Sequence, residues 1–147
     1  MKSDQVFRYV IHIAASADAV WEALTKREEW AKYFPEWQPH SVWQEGAPLQ
    51  FYTSGGELYS TGLVLGADAP RFLSYTWPEP EGEFRPELPE RLTWRIESSG
   101  PNVVRLELVH DQLTFVNQQG VSQGWPAVLS SLKTLLETGV ALQYFPK

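Results

Sequence analysis

The chain opens on a hydrophobic period of two. Phe7, Tyr9, Ile11 and Ile13 alternate with Arg8, Val10 and His12, which predicts a half-buried strand over 6–13. The pattern then turns helical. Ser16 can cap a short helix with Asp18 in its first turn and Val20, Trp21 and Leu24 on its inward face. Thr25-Lys26-Arg27-Glu28 has capping-box spacing and predicts a second short helix, ending at or before Pro35. Extended segments follow at roughly 40–44, 48–53, 57–65, 71–77, 91–98 and 103–110, with hairpin turns at Ser54-Gly55-Gly56 and Ser98-Ser99-Gly100-Pro101-Asn102. Consecutive strands with such short links predict an antiparallel meander.

The period of 3.6 returns at the end. Trp125, Val128, Leu129, Leu132, Leu135 and Leu136 make one wide apolar stripe over 124–139. Pro126 suits a first helical turn, and Gly139 is a ready stop. A long helix with such a stripe must bury it against the sheet, and a sheet wrapped around a helix leaves room for a pocket between them.

Composition narrows the class. The chain has 147 residues, enough for one domain over 1–147 with a substantial core. It has no cysteine, which excludes disulfides, thiolate metal sites and a cysteine nucleophile. Net charge is −6, of which residues 78–90, with five glutamates and one arginine, supply −4. The remainder is near neutral and offers no basic face, so nucleic-acid binding is not expected on electrostatic grounds. No apolar run approaches a membrane span and no leader opens the chain, so a soluble, cytoplasmic protein is expected. The stretch 78–90 contains four prolines and is expected to be a long acidic loop, its glutamates 79, 81, 83, 87 and 90 solvated.

The strand period also nominates a cavity wall. Leu92, Trp94 and Ile96 share a face, as do Leu73, Tyr75 and Trp77, and Leu49, Phe51 and Thr53. Val104, Leu106, Leu108 and His110 form the matching set on the last strand. His110 is expected to bond nearby backbone, to contact a ligand, or to serve as a general acid or base, in that order, whereas His12 and His40 should be solvated. No histidine pair has metal-site spacing, so no metal is expected. Trp30, Tyr33, Phe34 and Trp37 crowd the second helix and its exit, as a lid over the pocket mouth, as core, or as a patch for a partner. With seven Trp, six Tyr and seven Phe, most rings are expected to fill the core and some to line a cavity. Catalytic motifs are missing: there is no phosphate loop, nucleophile elbow or spaced Ser/His/Asp set.

The order strand, helix pair, six-strand meander and long final helix resembles the helix-grip, START-like (Bet v 1-like) fold, in the α+β class. Ala14-Ala15-Ser16-Ala17-Asp18-Ala19-Val20-Trp21-Glu22-Ala23-Leu24-Thr25 is similar to the opening helix motif of the family related to the C-terminal domain of the Hsp90 ATPase activator. Gly62-Leu63-Val64-Leu65-Gly66-Ala67-Asp68-Ala69-Pro70-Arg71-Phe72-Leu73-Ser74-Tyr75-Thr76-Trp77 resembles its central hairpin, and Gly124-Trp125 the opening of its final helix. The resemblance implies a curved antiparallel sheet of about seven strands, two short helices and a long C-terminal helix across the sheet. The wider superfamily includes lipid carriers, hormone receptors, polyketide cyclases and hydroxylase subunits, with no shared catalytic set to carry over.

The leading expectation is therefore non-catalytic, cofactor-free binding of a small apolar or aromatic molecule. The candidate contacts are Phe51, Tyr75, Trp77, Trp94, His110 and Trp125. A protein-interaction or co-chaperone-like role, with a chaperone or a second copy as partner, is the alternative. A cofactor-free cyclase or hydrolase stands third.

Overall fold

The computed structural model describes residues 6–78, 89–113 and 115–142, and in the last of these the side chains from Gly124 onward. Strand β1 (Phe7–Ile13) leads into helices α1 (Ala17–Thr25) and α2 (Arg27–Trp30). Strands β2 (Gln38–His40), β3 (Pro48–Tyr52), β4 (Leu58–Asp68), β5 (Phe72–Thr76), β6 (Arg91–Gly100) and β7 (Val103–Asp111) follow, and α3 (Phe115–Thr138) comes last. The strands form one antiparallel sheet in the order β1-β7-β6-β5-β4-β3-β2. The meander therefore runs unbroken from β2 to β7, and β1 closes onto β7. This is the α+β, helix-grip-like architecture that the resemblance implies, built on the antiparallel meander that the alternation predicts.

The period of two sorts the side chains as expected. Leu92, Trp94 and Ile96 of β6, Leu73 and Tyr75 of β5, and Val104, Leu106, Leu108 and His110 of β7 are all buried on the inner face. Trp125, Val128, Leu129, Leu132 and Leu135 of α3 join them in one core cluster. Each such side chain contributes about 1.5–3 kcal/mol of gross burial, which is what holds helix to sheet. His12 and His40 are exposed, as their positions predict. At the far end of α3 the Glu137 carboxylate accepts from the Ala14 N–H at 2.7 Å and from Lys133 at 2.7 Å. Those donors, the Ala14 amide first, hold its pKa below the usual glutamate value.

Several boundaries differ from the sequence expectation, each for a local reason. Ser16 caps α1 as predicted, accepting from the Ala19 N–H at 3.1 Å. Thr25, however, does not open a capping box; its hydroxyl donates back to the Trp21 carbonyl at 2.8 Å, and α2 starts without a side-chain cap. The segment expected as a strand over 40–44 pairs at 38–40 instead. Trp43 adopts a φ of +56°, which turns its ring inward, where it donates to the Thr25 carbonyl at 2.9 Å and meets Tyr75. Helix α3 begins at Phe115, so Pro126 lies inside it and not in its first turn. Gly139, at φ +90°, does end it, with its N–H on the Leu135 carbonyl at 2.8 Å.

The central hairpin has a steric logic of its own. A Cβ on Gly62 would stand 2.1 Å from Thr76 Oγ1, the atom that accepts the Leu63 N–H. Glycine is what lets β4 approach the end of β5 this closely.

Candidate functional site

Ring packing concentrates where the inner face of the sheet meets the first described turn of α3. Trp77 follows β5, and its backbone N–H donates to the Glu90 carbonyl at 2.9 Å, which extends the β5–β6 ladder by one more pair. Its indole is the hub of the cluster. It lies 5.3 Å from Trp125, 5.5 Å from Phe51, 5.8 Å from Trp37, 6.0 Å from Phe34 and 6.1 Å from His110. Trp125 also meets Trp94 edge to face at 5.8 Å. Contacts of this kind add about 0.5–1.5 kcal/mol per pair beyond area burial. Phe51, Tyr75, Trp77, Trp94, His110 and Trp125 are thus all buried and belong to one neighbourhood, linked by ring contacts or hydrogen bonds.

The aromatic group at the second helix divides in two. Trp30 and Tyr33 are core: Trp30 donates to the Trp37 carbonyl at 2.9 Å, and Tyr33 donates to the Ala23 carbonyl at 2.8 Å. Phe34 and Trp37 are part-buried. Phe34 packs on Trp125, and Trp37 stacks on Tyr59 at 5.3 Å. These two rings, unlike Trp30 and Tyr33, keep part of their surface exposed while touching the cluster.

A buried polar chain runs through the apolar surroundings. His110 Nε2 lies 2.7 Å from Glu90 Oε1, and both side chains are almost wholly inaccessible. Trp125 Nε1 is 3.0 Å from His110 Nδ1. An indole N–H can only donate, so Nδ1 accepts and the ring proton sits on Nε2, where it is donated to the carboxylate. His110 is therefore bonded to two side chains from other elements. Both ring nitrogens thus have side-chain partners, in place of the backbone bond that was one expectation. The chain ties the start of β6 to β7 and α3.

Glu90 corrects the expectation of a solvated acidic loop. It is fully buried, and Gln112 donates to the carbonyl of its neighbour Pro89. Glutamates 79, 81, 83 and 87 lie outside the described residues. Parity held the signal: counting back from Ile96, Trp94 and Leu92, residue 90 falls on the inner face.

Tyr75 supplies the other polar group. Its oxygen accepts from Trp94 Nε1 at 3.0 Å, and burial pushes its phenol well above the ordinary tyrosine value, so it stays protonated. The outer face of the sheet is different in kind. An open groove of about 300 Å3 there is lined by Arg8, Arg91, Arg95, Ser74, Thr93 and Asp111. Its charges are already answered, with Arg91 forked onto Asp111 at 2.6 and 3.0 Å and Arg8 3.3 Å from Glu107. Among the described residues no group of three His, Cys, Asp or Glu could hold a metal ion. None of the helices is long and apolar enough to cross a membrane, again among the described residues.

The family model described as activator of Hsp90 ATPase homolog 1-like protein matches residues 14–137. No curated protein matches the chain. Solved structures do. A protein from Mesorhizobium loti superposes with a TM-score of 0.73 at 18% identity, over 90% of this chain and 97% of its own. A Cytophaga hutchinsonii protein gives 0.71 at 25% identity, over 95% and 98%. The Aha1 dimer from Colwellia psychrerythraea gives 0.70 at 19%, over 92% and 98%.

Proposed function

We propose, for a chain that belongs to the activator of Hsp90 ATPase homolog 1-like family, that it binds a small apolar or aromatic molecule without chemical turnover. The molecule sits against the inner face of the sheet, among Phe51, Tyr75, Trp77, Trp94 and Trp125, with Phe34 and Trp37 at the mouth. One observation carries this reading: the convergence of these large rings on Trp77 beside the first described turn of α3. Burial of apolar surface supplies the affinity, and few polar groups orient the guest. His110 acts indirectly, by fixing the Trp125 ring.

Native mass spectrometry of freshly purified protein, followed by organic extraction, tests the proposal. The expected result is an apolar compound released from the folded protein. Trp94→Phe should cut its retention several-fold while costing folding only about 1–3 kcal/mol, within the ordinary range for a single change. Unliganded protein that also fails to take up any apolar compound offered to it would refute the reading.

Self-association is a second reading, favoured by the solved Colwellia psychrerythraea relative being a dimer. The exposed Val42, Leu58, Leu63 and Leu65 would be the apolar surface available for it. Sedimentation that stays monomeric at high concentration would exclude it.

A further inference from the structure

Hydrogen-bond accounting in the aromatic neighbourhood nearly closes, and the remainder is one-sided. Trp30, Trp94 and Trp125 each spend their indole N–H on a named acceptor, and Tyr33 spends its hydroxyl proton on Ala23. Glu90 and His110 are joined. Two buried donors are left, the part-buried Trp37 being open to water. The Tyr75 oxygen accepts from Trp94, but its own proton meets no oxygen or nitrogen acceptor among the described residues. Trp77 Nε1–H has none either, among the same residues. Tyr75 is wholly buried and Trp77 is 4% exposed, so bulk water does not solve the problem. Both lie on the same side of one extended run, two residues apart, which places their Cα atoms about 6–7 Å from each other. A buried donor with nothing to donate to forfeits the hydrogen bonds it made in the unfolded chain.

We infer that the small molecule bound here is an acceptor: an aromatic or conjugated compound carrying a carbonyl-type oxygen, which takes the Tyr75 hydroxyl proton, with Trp77 Nε1–H as the second donor. The inference rests on the binding reading above and adds to it the polarity of the guest. It also says what the site rejects. A guest whose polar group is itself only a donor would face Tyr75 and Trp77 donor to donor and lose its own hydration with no return. Aromatic ketones, quinones and lactones fit; the corresponding ammonium compounds, which only donate, do not.

Two probes of nearly equal shape separate this from plain apolar binding: 2-acetylnaphthalene, which has the carbonyl, and 2-ethylnaphthalene, which does not. Their raw affinities differ through desolvation alone, so the readout is a cycle of both probes against wild type and Tyr75→Phe. The expected result is that Tyr75→Phe, which also frees the Trp94 indole, weakens the acetyl compound about three- to tenfold more than the ethyl compound, the size of one net hydrogen bond. Trp77→Phe should show a smaller selective loss. A measurement on wild-type protein alone stands behind both variants. The carbonyl 13C resonance of bound 2-acetylnaphthalene should stay near its position in water, where the oxygen is hydrogen-bonded; a shift to its position in hydrocarbon would overturn the inference. If both probes bind and the cycle shows no selective loss, ordered water satisfies the donors, and the inference falls while apolar binding stands. If neither probe binds wild type, the binding reading itself has failed.

Discussion

Leu132→Asp should leave the chain unfolded at room temperature. Leu132 is wholly buried at the centre of the α3 stripe, within the cluster that includes Leu106, Leu108 and Leu129. The change removes about 1.5–3 kcal/mol of apolar burial and puts a carboxylate where no cation in the described core can answer it. Together these costs reach most of a typical total stability of about 5–15 kcal/mol. Leu132→Ala, which opens a cavity without adding charge, should cost about 2–5 kcal/mol and leave a cooperative transition. Circular dichroism on both variants checks the pair. A near-wild-type melt for Leu132→Asp would mean that α3 does not hold the sheet through this stripe.

Glu90→Ala should be the most damaging change to any carboxylate in the described part of the chain. It strands the His110 Nε2–H in an apolar interior and frees the ring whose Nδ1 fixes the Trp125 indole. Leaving such a group unpaired costs about 2–4 kcal/mol. Glu90→Gln keeps an acceptor oxygen for the same proton and should cost clearly less. Glu97→Ala, on the exposed outer face, should stay within about 0.5 kcal/mol. Urea denaturation of the three variants gives the ordering directly. Equal midpoints for Glu90→Ala and Glu97→Ala would remove the polar chain from the account of what holds β6, β7 and α3 together.

How far the residues announce this outcome depends on what each signal averages over. The inner face of the meander was legible because alternation repeats over several strands and a one-residue slip would expose every large ring at once. The apolar stripe of α3 was legible for the same reason. Its start was not: residues 115–124 carry two glycines and several amides, with no stripe, so periodicity has nothing to measure there. Trp43 eluded the strand pattern because one residue at positive φ reverses which way the chain faces. Thr25 had the spacing of a cap, but a hydroxyl can serve the preceding turn as readily as the next, and spacing alone does not choose. Glu90 was hidden by its neighbours. Four other glutamates and four prolines make the stretch read as solvent-facing, while the parity of β6 assigns its last acidic residue to the interior.

The candidate site divides the same way. Tyr75, Trp77, Trp94 and Trp125 come from strand and helix period, and the fold brings them together because those periods aim them at one another. The commitments of their polar atoms are another matter. Trp94 and Trp125 donate to acceptors nineteen and fifteen residues away in sequence, and no local pattern encodes that.

The central claim is that a small molecule occupies the neighbourhood of Trp77. Two-dimensional NMR of the indole Nε1–H signals, recorded during titration with 2-acetylnaphthalene, reads that neighbourhood one ring at a time. Saturable shifts are expected for Trp77, Trp94 and Trp125, with Trp21 nearly still. Shifts confined to Trp21, or none at any ring up to the solubility limit of the probe, would contradict the claim.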